Sequence, residues 1–147
     1  MNDILQRLAG DWLGEEAIAA TRWGPGGRAV GRIAARLALG GRALVQDYRE
    51  ERDGRPALQA HAVFVAGDDG GYGLYWFDSY GFVPHEPAAG RWDGRSLVFV
   101  RRSPRGQTRH VYTPLGEDRL GLTLESSFDG GASWEPVLQA EYRRVRD

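Results

Sequence analysis

The segment Arg28–Leu39 reads RAVGRIAARLAL and decides the fold expected for the whole chain. In much of it apolar side chains recur at every second position, with arginines between them. One face carries Ile33, Ala35, Leu37 and Leu39, and the other face carries Arg28, Arg32 and Arg36. A period of two predicts a half-buried β-strand, because successive side chains of a strand point to opposite faces of the sheet.

Turn signals recur along the rest of the chain at intervals of about ten residues, which is typical of an antiparallel meander. Asp53-Gly54, Asp93-Gly94 and Asp129-Gly130-Gly131 are three of them. The strands predicted between the turns span residues 11–22, 29–39, 42–52, 57–66, 72–79, 86–92, 96–103, 107–113, 119–127 and 134–145. Closure removes exposed strand edges, so we predict an all-β, closed antiparallel up-and-down barrel of about ten strands. A two-sheet sandwich is the alternative.

One short helix is expected before the first strand. Asn2–Leu8 carries Ile4, Leu5 and Leu8 at helical spacing, and Asn2 or Asp3 can cap its first turn. This helix would plug one end of the barrel. No linker or repeat divides the chain, so we predict a single domain over residues 1–147.

Charge and composition exclude several classes of function. The 19 basic and 20 acidic residues are interleaved, which argues against a nucleic-acid partner. The absence of cysteine excludes disulfides, thiolate zinc sites, iron–sulfur clusters and cysteine nucleophiles. The apolar stretches are too short for a signal peptide or a membrane span, so we expect no membrane partner and a cytoplasmic location.

The two ends of the chain carry a pair of related motifs. Gly10-Asp11-Trp12 lies where the helix meets the first strand, and Tyr142-Arg143-Arg144 closes the last strand. Together they resemble the lipocalin and fatty-acid-binding (calycin) superfamily, in which this tryptophan closes one barrel end beneath an arginine of the last strand. The resemblance implies structural roles for Trp12 and for Arg143 and Arg144. An arginine stacked on an indole contributes about 0.5–2 kcal/mol.

Four further stretches resemble an uncharacterised bacterial family of lipocalin-like domains. They are Gly14-Glu15-Glu16, Leu44-Val45-Gln46-Asp47-Tyr48, Tyr75-Trp76-Phe77-Asp78-Ser79 and Asp129-Gly130-Gly131-Ala132-Ser133-Trp134. This resemblance spans nearly the whole chain and implies the barrel fold without implying an activity. Residues 127–134 also resemble the Asp-box hairpin of sialidase propellers. Because one copy cannot build a propeller, Asp129 and Trp134 are expected to be structural.

Period-two geometry also predicts the lining of the lumen. If Leu44 faces inward, then Gln46 and Tyr48 face inward with it. The same reasoning groups Trp76 with Asp78, and His110 with Tyr112. The candidate ligand-binding residues are Gln46, Tyr48, His61, Trp76, Asp78, His110 and Tyr112. Such a lining suits a small, partly apolar or amphipathic organic molecule, unless these side chains fill the lumen themselves.

The histidines leave two other functions open. His61 or His110 beside a buried carboxylate would suit an acid–base enzyme, an isomerase or a hydrolase, with Glu15 or Glu16, Asp78 and Glu125 as the available carboxylates. His85 is expected in a solvated loop. The start Gly10-x-Trp12-x-Gly14 is similar to that of nitrobindin, whose cavity histidine is the axial ligand of a haem, so the resemblance implies haem as an alternative cofactor. Nitrobindin's longer glycine-rich continuation is missing here.

The sequence by itself assigns no catalytic residue, no metal ligand and no cofactor. It contains no Gly-x-Ser-x-Gly elbow, no phosphate loop and no dinucleotide fingerprint. A homodimer formed through exposed rings such as Trp23, Tyr80 or Phe82 is a further alternative.

Overall fold

The computed structural model describes residues 3–146 and shows a closed antiparallel barrel. Every strand pairs with its neighbours in the sequence, and the first strand pairs with the last, so the sheet has no open edge. The predicted all-β barrel with a short N-terminal helix is confirmed, and the sandwich is excluded. Within residues 3–146, no helix has the length and apolar character needed to cross a membrane.

The strands begin and end close to the predicted turns. The elements are α1 (Ile4–Leu8), β1 (Gly10–Ile18), β2 (Gly27–Ala38), a 3₁₀ turn (Leu39–Gly41), β3 (Ala43–Arg52), β4 (Arg55–Ala66), β5 (Tyr72–Asp78), β6 (Ala88–Trp92), β7 (Leu97–Ser103), β8 (Gly106–Pro114), β9 (Arg119–Ser127) and β10 (Glu135–Arg144). β1 ends at Ile18, earlier than predicted, and residues 19–26 form a loop. Asp3 precedes α1 without a capping side-chain hydrogen bond, and Asn2 lies outside the described residues.

The lumen beneath α1, which we call the helix half, is packed with side chains. Leu44, Phe64 and Leu97 have 0% of their surface exposed. The ring of Phe64 meets Phe99 and Tyr112 edge-on, with centroids 5.6 and 5.3 Å apart. Phe64 lies on β4, whereas its two partners lie on β7 and β8, so these contacts cross the barrel. The predicted hollow is therefore absent from this half.

A tryptophan and an arginine close the helix end. The Trp12 indole N–H donates to the carbonyl of Leu8 at 3.1 Å, and the Arg144 guanidinium lies 4.2 Å from the Trp12 ring. Arg144 also donates to the carbonyl of Ala9 at 2.6 Å. Arg143 is exposed on the outer face, because side chains alternate along β10. The expectation for this pair is therefore corrected: Arg144 alone lies over Trp12.

The apolar face of β2 ends earlier than its sequence suggests. Ile33 and Ala35 are buried in the lumen, whereas Leu37 and Leu39 are 41% and 74% exposed. The chain leaves the strand after Ala38, and Leu39 adopts a left-handed backbone with φ of 54°. The last leucines of the alternating run therefore lie at the rim and in the following turn, and their predicted inward orientation is wrong.

The hairpin before β10 is held by its own polar groups. Asp129 accepts hydrogen bonds from the Ser127 hydroxyl at 2.8 Å and from the Ser133 backbone N–H at 2.9 Å. The Ser133 hydroxyl also donates to Asp129. This bond, followed by the other two, lowers the pKa of Asp129 to about 2. The Arg109 guanidinium covers the Trp134 ring at 4.2 Å. Every one of these contacts stabilises the turn, as expected for a structural motif.

Candidate functional site

The lumen half away from α1, which we call the polar half, has a floor of aromatic rings. Trp76 on β5 and His110 on β8 meet with their ring centroids 5.0 Å apart. These strands are not paired, so the contact spans the lumen. Tyr48 lies against Trp76 from the other side, at 6.5 Å. The floor separates the packed helix half from the polar half.

Small side chains line the wall above this floor. The register places Ala60 between Tyr48 and Asp78 on adjacent strands. Glu16 lies between Ala29 and Ala140 in the same way. The alanine side chains are small and occupy little of the lumen beside these large polar groups. The polar half therefore combines aromatic, small and ionisable side chains on one inner surface.

Glu16 is the most deeply buried acid of this surface, with 0% of its surface exposed. When Glu16 is ionised, its Oε2 accepts hydrogen bonds from the hydroxyls of Tyr48, at 2.6 Å, and Tyr142. Glycine suits the position opposite this group, since a Cβ at Gly31 would overlap the Glu16 carboxyl and the Tyr142 ring. Its other oxygen, Oε1, is buried without a hydrogen-bond partner.

The hydrogen bonds around Tyr48 show where the cluster holds a proton. The Tyr48 hydroxyl lies 2.6 Å from Glu16 Oε2 and 2.9 Å from Glu50 Oε2, but it has only one proton to donate. Both contacts are hydrogen bonds only if one carboxyl is itself protonated. Glu50 has Arg52 Nε at 3.6 Å, so its charge is compensated and Glu16 is the protonated partner. In this protonated form Glu16 donates to Tyr48 and Tyr48 donates to Glu50, whereas in the ionised form Tyr48 donates to Glu16.

The electrostatics agree with this assignment. Burial raises the pKa of Glu16 to about 7, the Glu50 charge adds to the increase, and the hydrogen bonds from Tyr142 and Tyr48 oppose it. Burial also raises the pKa of both tyrosines, so their hydroxyls stay protonated. At neutral pH the cluster is therefore poised to release or hold one proton inside the barrel.

A cation faces the lumen from the other wall. Leu97, Phe99 and Arg101 share the inner face of β7. The Nε–H of Arg101 donates to Nε2 of His110 at 3.3 Å, and its guanidinium lies 4.4 Å from the Phe82 ring. Burial lowers the pKa of Arg101. Burial and the neighbouring Arg101 charge lower the pKa of His110 to about 3, so His110 is neutral and serves as an acceptor.

Asp78 fixes the loop that covers this cation. Its Oδ2 accepts the Trp76 indole N–H at 2.9 Å, and its Oδ1 accepts the backbone N–H groups of Tyr80 and Phe82 at 3.0 and 3.2 Å. Residues 79–87 are thus tied to the end of β5. This anchoring holds Phe82 against Arg101.

The structure brings together most of the lumen residues predicted from sequence. Gln46, Tyr48, Trp76, His110 and Tyr112 are buried in the lumen, and Asp78 is half-buried at its end. His61 is the exception. It lies on the outer surface with its Nδ1 2.8 Å from Asp47, because the inner positions beside it are Ala60 and Ala62. The expectation that His61 lines the pocket is therefore wrong.

The predicted pair of a buried carboxylate and a histidine is not among the contacts of residues 3–146. The described histidine–carboxylate contact is the exposed His61–Asp47 pair, whereas buried His110 contacts Arg101 and Tyr112. The residues present also do not fit a haem. Nε2 of His110 already accepts from Arg101, its Nδ1 faces the Tyr112 hydroxyl at 3.5 Å, and His85 is exposed in a loop.

Sequence reasoning did not single out three residues of the site. The sequence patterns do not mark Glu50 or Arg101, and they do not distinguish Glu16 from Glu15. Strand alternation indicates Glu16: if Trp12 faces inward to close the barrel, then Gly14 and Glu16 lie on the same inner face. The Leu97-x-Phe99-x-Arg101 alternation points inward in the same way.

Comparison with known proteins places the chain in a family. A family model described as "Protein of unknown function (DUF1579)" matches residues 1–144. The chain belongs to this family. No curated protein sequence matches this DUF1579 member.

Solved structures share the fold of this DUF1579 member at low sequence identity. Rv2717c from M. tuberculosis has 17% identity and a TM-score of 0.75, over 97% of this chain and 96% of that one. The S-type phycobiliprotein lyase CPES from Guillardia theta has 12% identity and a TM-score of 0.67, over 99% and 91%. A de novo designed fluorescence-activating β-barrel has 14% identity and a TM-score of 0.51, over 99% and 100%. Identities this low show a shared fold alone.

Proposed function

We propose that this DUF1579 member binds a small, partly apolar organic molecule in the polar half of its lumen, as lipocalin-type barrels do. One observation carries the proposal: charged and polar side chains face inward, beside rings and alanines, in one half of a closed barrel. A core built only for stability would be apolar there, because buried polar groups are costly to desolvate. A phycobiliprotein lyase and a fluorescence-activating barrel among the similar structures support it.

The polar half is reachable from solvent, as a binding site must be. Leu58 and Leu124 face inward by strand alternation yet remain half-buried. Asp78 and Arg101 are half-buried as well. In the helix half, by contrast, Leu44 has 0% of its surface exposed. A ligand therefore enters through the end opposite α1.

The unpartnered oxygen of Glu16 is fully buried, so it becomes a polar contact for such a ligand only when a neighbouring side chain of the wall moves aside. An unsatisfied buried acceptor costs about 1–3 kcal/mol, so a hydroxyl or amine donor that reached Oε1 would recover part of that cost. The ligand we propose thus has an apolar, ring-compatible body with a few polar groups. The carboxylate–histidine pair that an acid–base enzyme would use is not formed within residues 3–146.

Fluorescence of N-phenyl-1-naphthylamine, a neutral apolar probe, tests the proposal. We expect saturable binding at one site per chain, and about tenfold weaker binding to Ala60→Leu, whose larger side chain enters the polar half. Ala34→Leu, on the exposed face of β2, is the matched control and should bind as the unmodified protein does. Thermal unfolding checks that both variants fold.

Two outcomes would overturn the proposed function. One is the absence of saturable fluorescence with the unmodified protein. The other is equal binding by the two variants when both are folded, because the probe would then lie outside the polar half.

A further inference from the structure

Arg101 differs from the other arginines that reach into the barrel. Arg144 donates to backbone carbonyls of Ala9 and Glu117, and Arg52 lies beside the Glu50 carboxylate. Arg101 donates its Nε–H to a neutral histidine, and within residues 3–146 it forms no salt bridge. Of the residues that the structure describes, it is the inward-facing cation of the polar half that lacks a protein anion in contact.

The nearest compensating charge is already committed elsewhere. Asp78 acts on Arg101 electrostatically, but its two oxygens accept from the Trp76 indole and from the backbone of the 79–87 loop. A guanidinium carries five N–H donors, and His110 accepts one of them. The N–H donors on the two terminal nitrogens of Arg101 therefore remain free for a group that residues 3–146 do not supply.

The surroundings of this fork define the matching ligand. A carboxylate accepts two parallel N–H bonds from a guanidinium and balances its charge, which a neutral oxygen cannot do. Rings stand on both sides of Arg101, with Phe82 at 4.4 Å and Trp76 at 5.7 Å from its guanidinium carbon. A flat aromatic body next to the carboxylate would meet Trp76 and Tyr48 on the floor.

The opposite wall orients the ligand. The wall formed by β1, β2 and β3 holds the carboxyl groups of Glu16 and Glu50, and the cation beside them, Arg52, is already paired with Glu50, so this wall gives a second anion no favourable partner. An acidic group is therefore favoured at β7 and disfavoured at β3. The two walls differ in charge across one lumen, so the ligand has one preferred direction.

We infer that the ligand of the polar half is an aromatic carboxylic acid, bound as its carboxylate by the guanidinium of Arg101. This inference rests on the proposed function and names the chemical class of its ligand. Arg101 is thus a binding residue that selects acids over neutral molecules of the same shape.

Competition against N-phenyl-1-naphthylamine tests this selection with two compounds of similar shape, 2-naphthoate and the neutral 2-naphthalenemethanol. We expect 2-naphthoate to displace the probe at concentrations at least about tenfold lower than the alcohol requires. In Arg101→Gln this preference should disappear while the neutral probe still binds. The control is Arg102→Gln, an exposed outward position of the same strand, which should keep the preference.

The outcomes separate this inference from the proposed function. If the probe binds but the acid and the alcohol compete equally, or if Arg101→Gln keeps the preference, the inference is wrong and the binding function stands. If the probe does not bind the unmodified protein, the function itself fails. Retained probe binding by Arg101→Gln shows that the variant is folded.

Discussion

The two halves of this barrel differ in what fills them. In the helix half, Phe64, Phe99 and Tyr112 meet edge-on across the lumen. Among the described residues of this half, no buried side-chain nitrogen or oxygen lacks a hydrogen-bond partner. In the polar half, Glu16 has an unpartnered oxygen, and Arg101 forms no salt bridge within residues 3–146. The same sheet therefore supports two environments, one suited to stability and one to binding.

The difference follows from strand alternation combined with the position of α1. Ile4, Leu5 and Leu8 cover one end and exclude water from the side chains below them. In the described part of the chain no second helix covers the other end, where the 79–87 loop contributes Phe82. Polar groups that face inward are tolerated there because they pair with each other and with solvent.

The largest effect should come from truncating the ring cluster of the helix half. We expect Phe64→Ala to lower the free energy of unfolding by about 3–5 kcal/mol, because it leaves a cavity in a packed layer. Leu124→Ala in the polar half should cost less than about 2 kcal/mol, since this leucine is only partly buried. Urea denaturation measures both. Equal losses would mean that the two halves are packed alike.

The next effect concerns the proton held by Glu16. Its pKa is raised from 4.5 to about 7 by folding, so the folded protein binds more protons than the unfolded chain between these values. The free energy of unfolding therefore falls as pH rises through this window, by about 3 kcal/mol at most. Glu16→Gln should remove this fall.

The measurement is the difference in unfolding free energy between Glu16→Gln and the unmodified protein, from pH 4 to 8. His110 contributes in the opposite direction, because its pKa is lowered to about 3 and its stabilisation is lost as pH falls below 6.5. That contribution cancels in the difference. Glu15→Gln, on the exposed face, is the control. A difference that does not change with pH would contradict the assignment of the proton to Glu16.

A smaller effect is expected at the closed end. Arg144→Met removes the stack on Trp12 and the hydrogen bond to the carbonyl of Ala9, which together should cost about 2 kcal/mol. Arg143→Met, one position away on the outer face, should cost less than about 0.5 kcal/mol. Thermal unfolding distinguishes the two variants. A larger loss of stability in Arg143→Met than in Arg144→Met would contradict the assignment of Arg144 as the arginine that covers Trp12.

The fold could be predicted from sequence because its signals are local. Paired glycines and Asp-Gly turns mark the ends of the strands, and the spacing of Ile4, Leu5 and Leu8 marks the helix. The exposure of Leu37 and Leu39 could not be predicted, since an alternating pattern does not show where a strand passes the rim. The left-handed backbone of Leu39 belongs to the following Gly40-Gly41 turn.

The site could be predicted only in part, because the inner residues are not uniformly apolar. Trp76, His110 and Tyr112 follow correctly from alternation. The predicted inward orientation of His61 was wrong because its inward-facing neighbours, Ala60 and Ala62, are small and do not mark a buried face in the sequence. The arrangement of Glu16 with tyrosines from β3 and β10 depends on barrel closure, which joins the first strand to the last.

The most direct test of binding in the polar half uses the indole N–H signals of the tryptophans in a ¹H–¹⁵N NMR titration with N-phenyl-1-naphthylamine. Trp76 donates to Asp78 in the polar half, and Trp12 donates to Leu8 in the helix half. We expect the Trp76 signal to shift saturably while the Trp12 signal stays in place. A shift of Trp12 with Trp76 unchanged, or no saturable shift of either, would contradict the account.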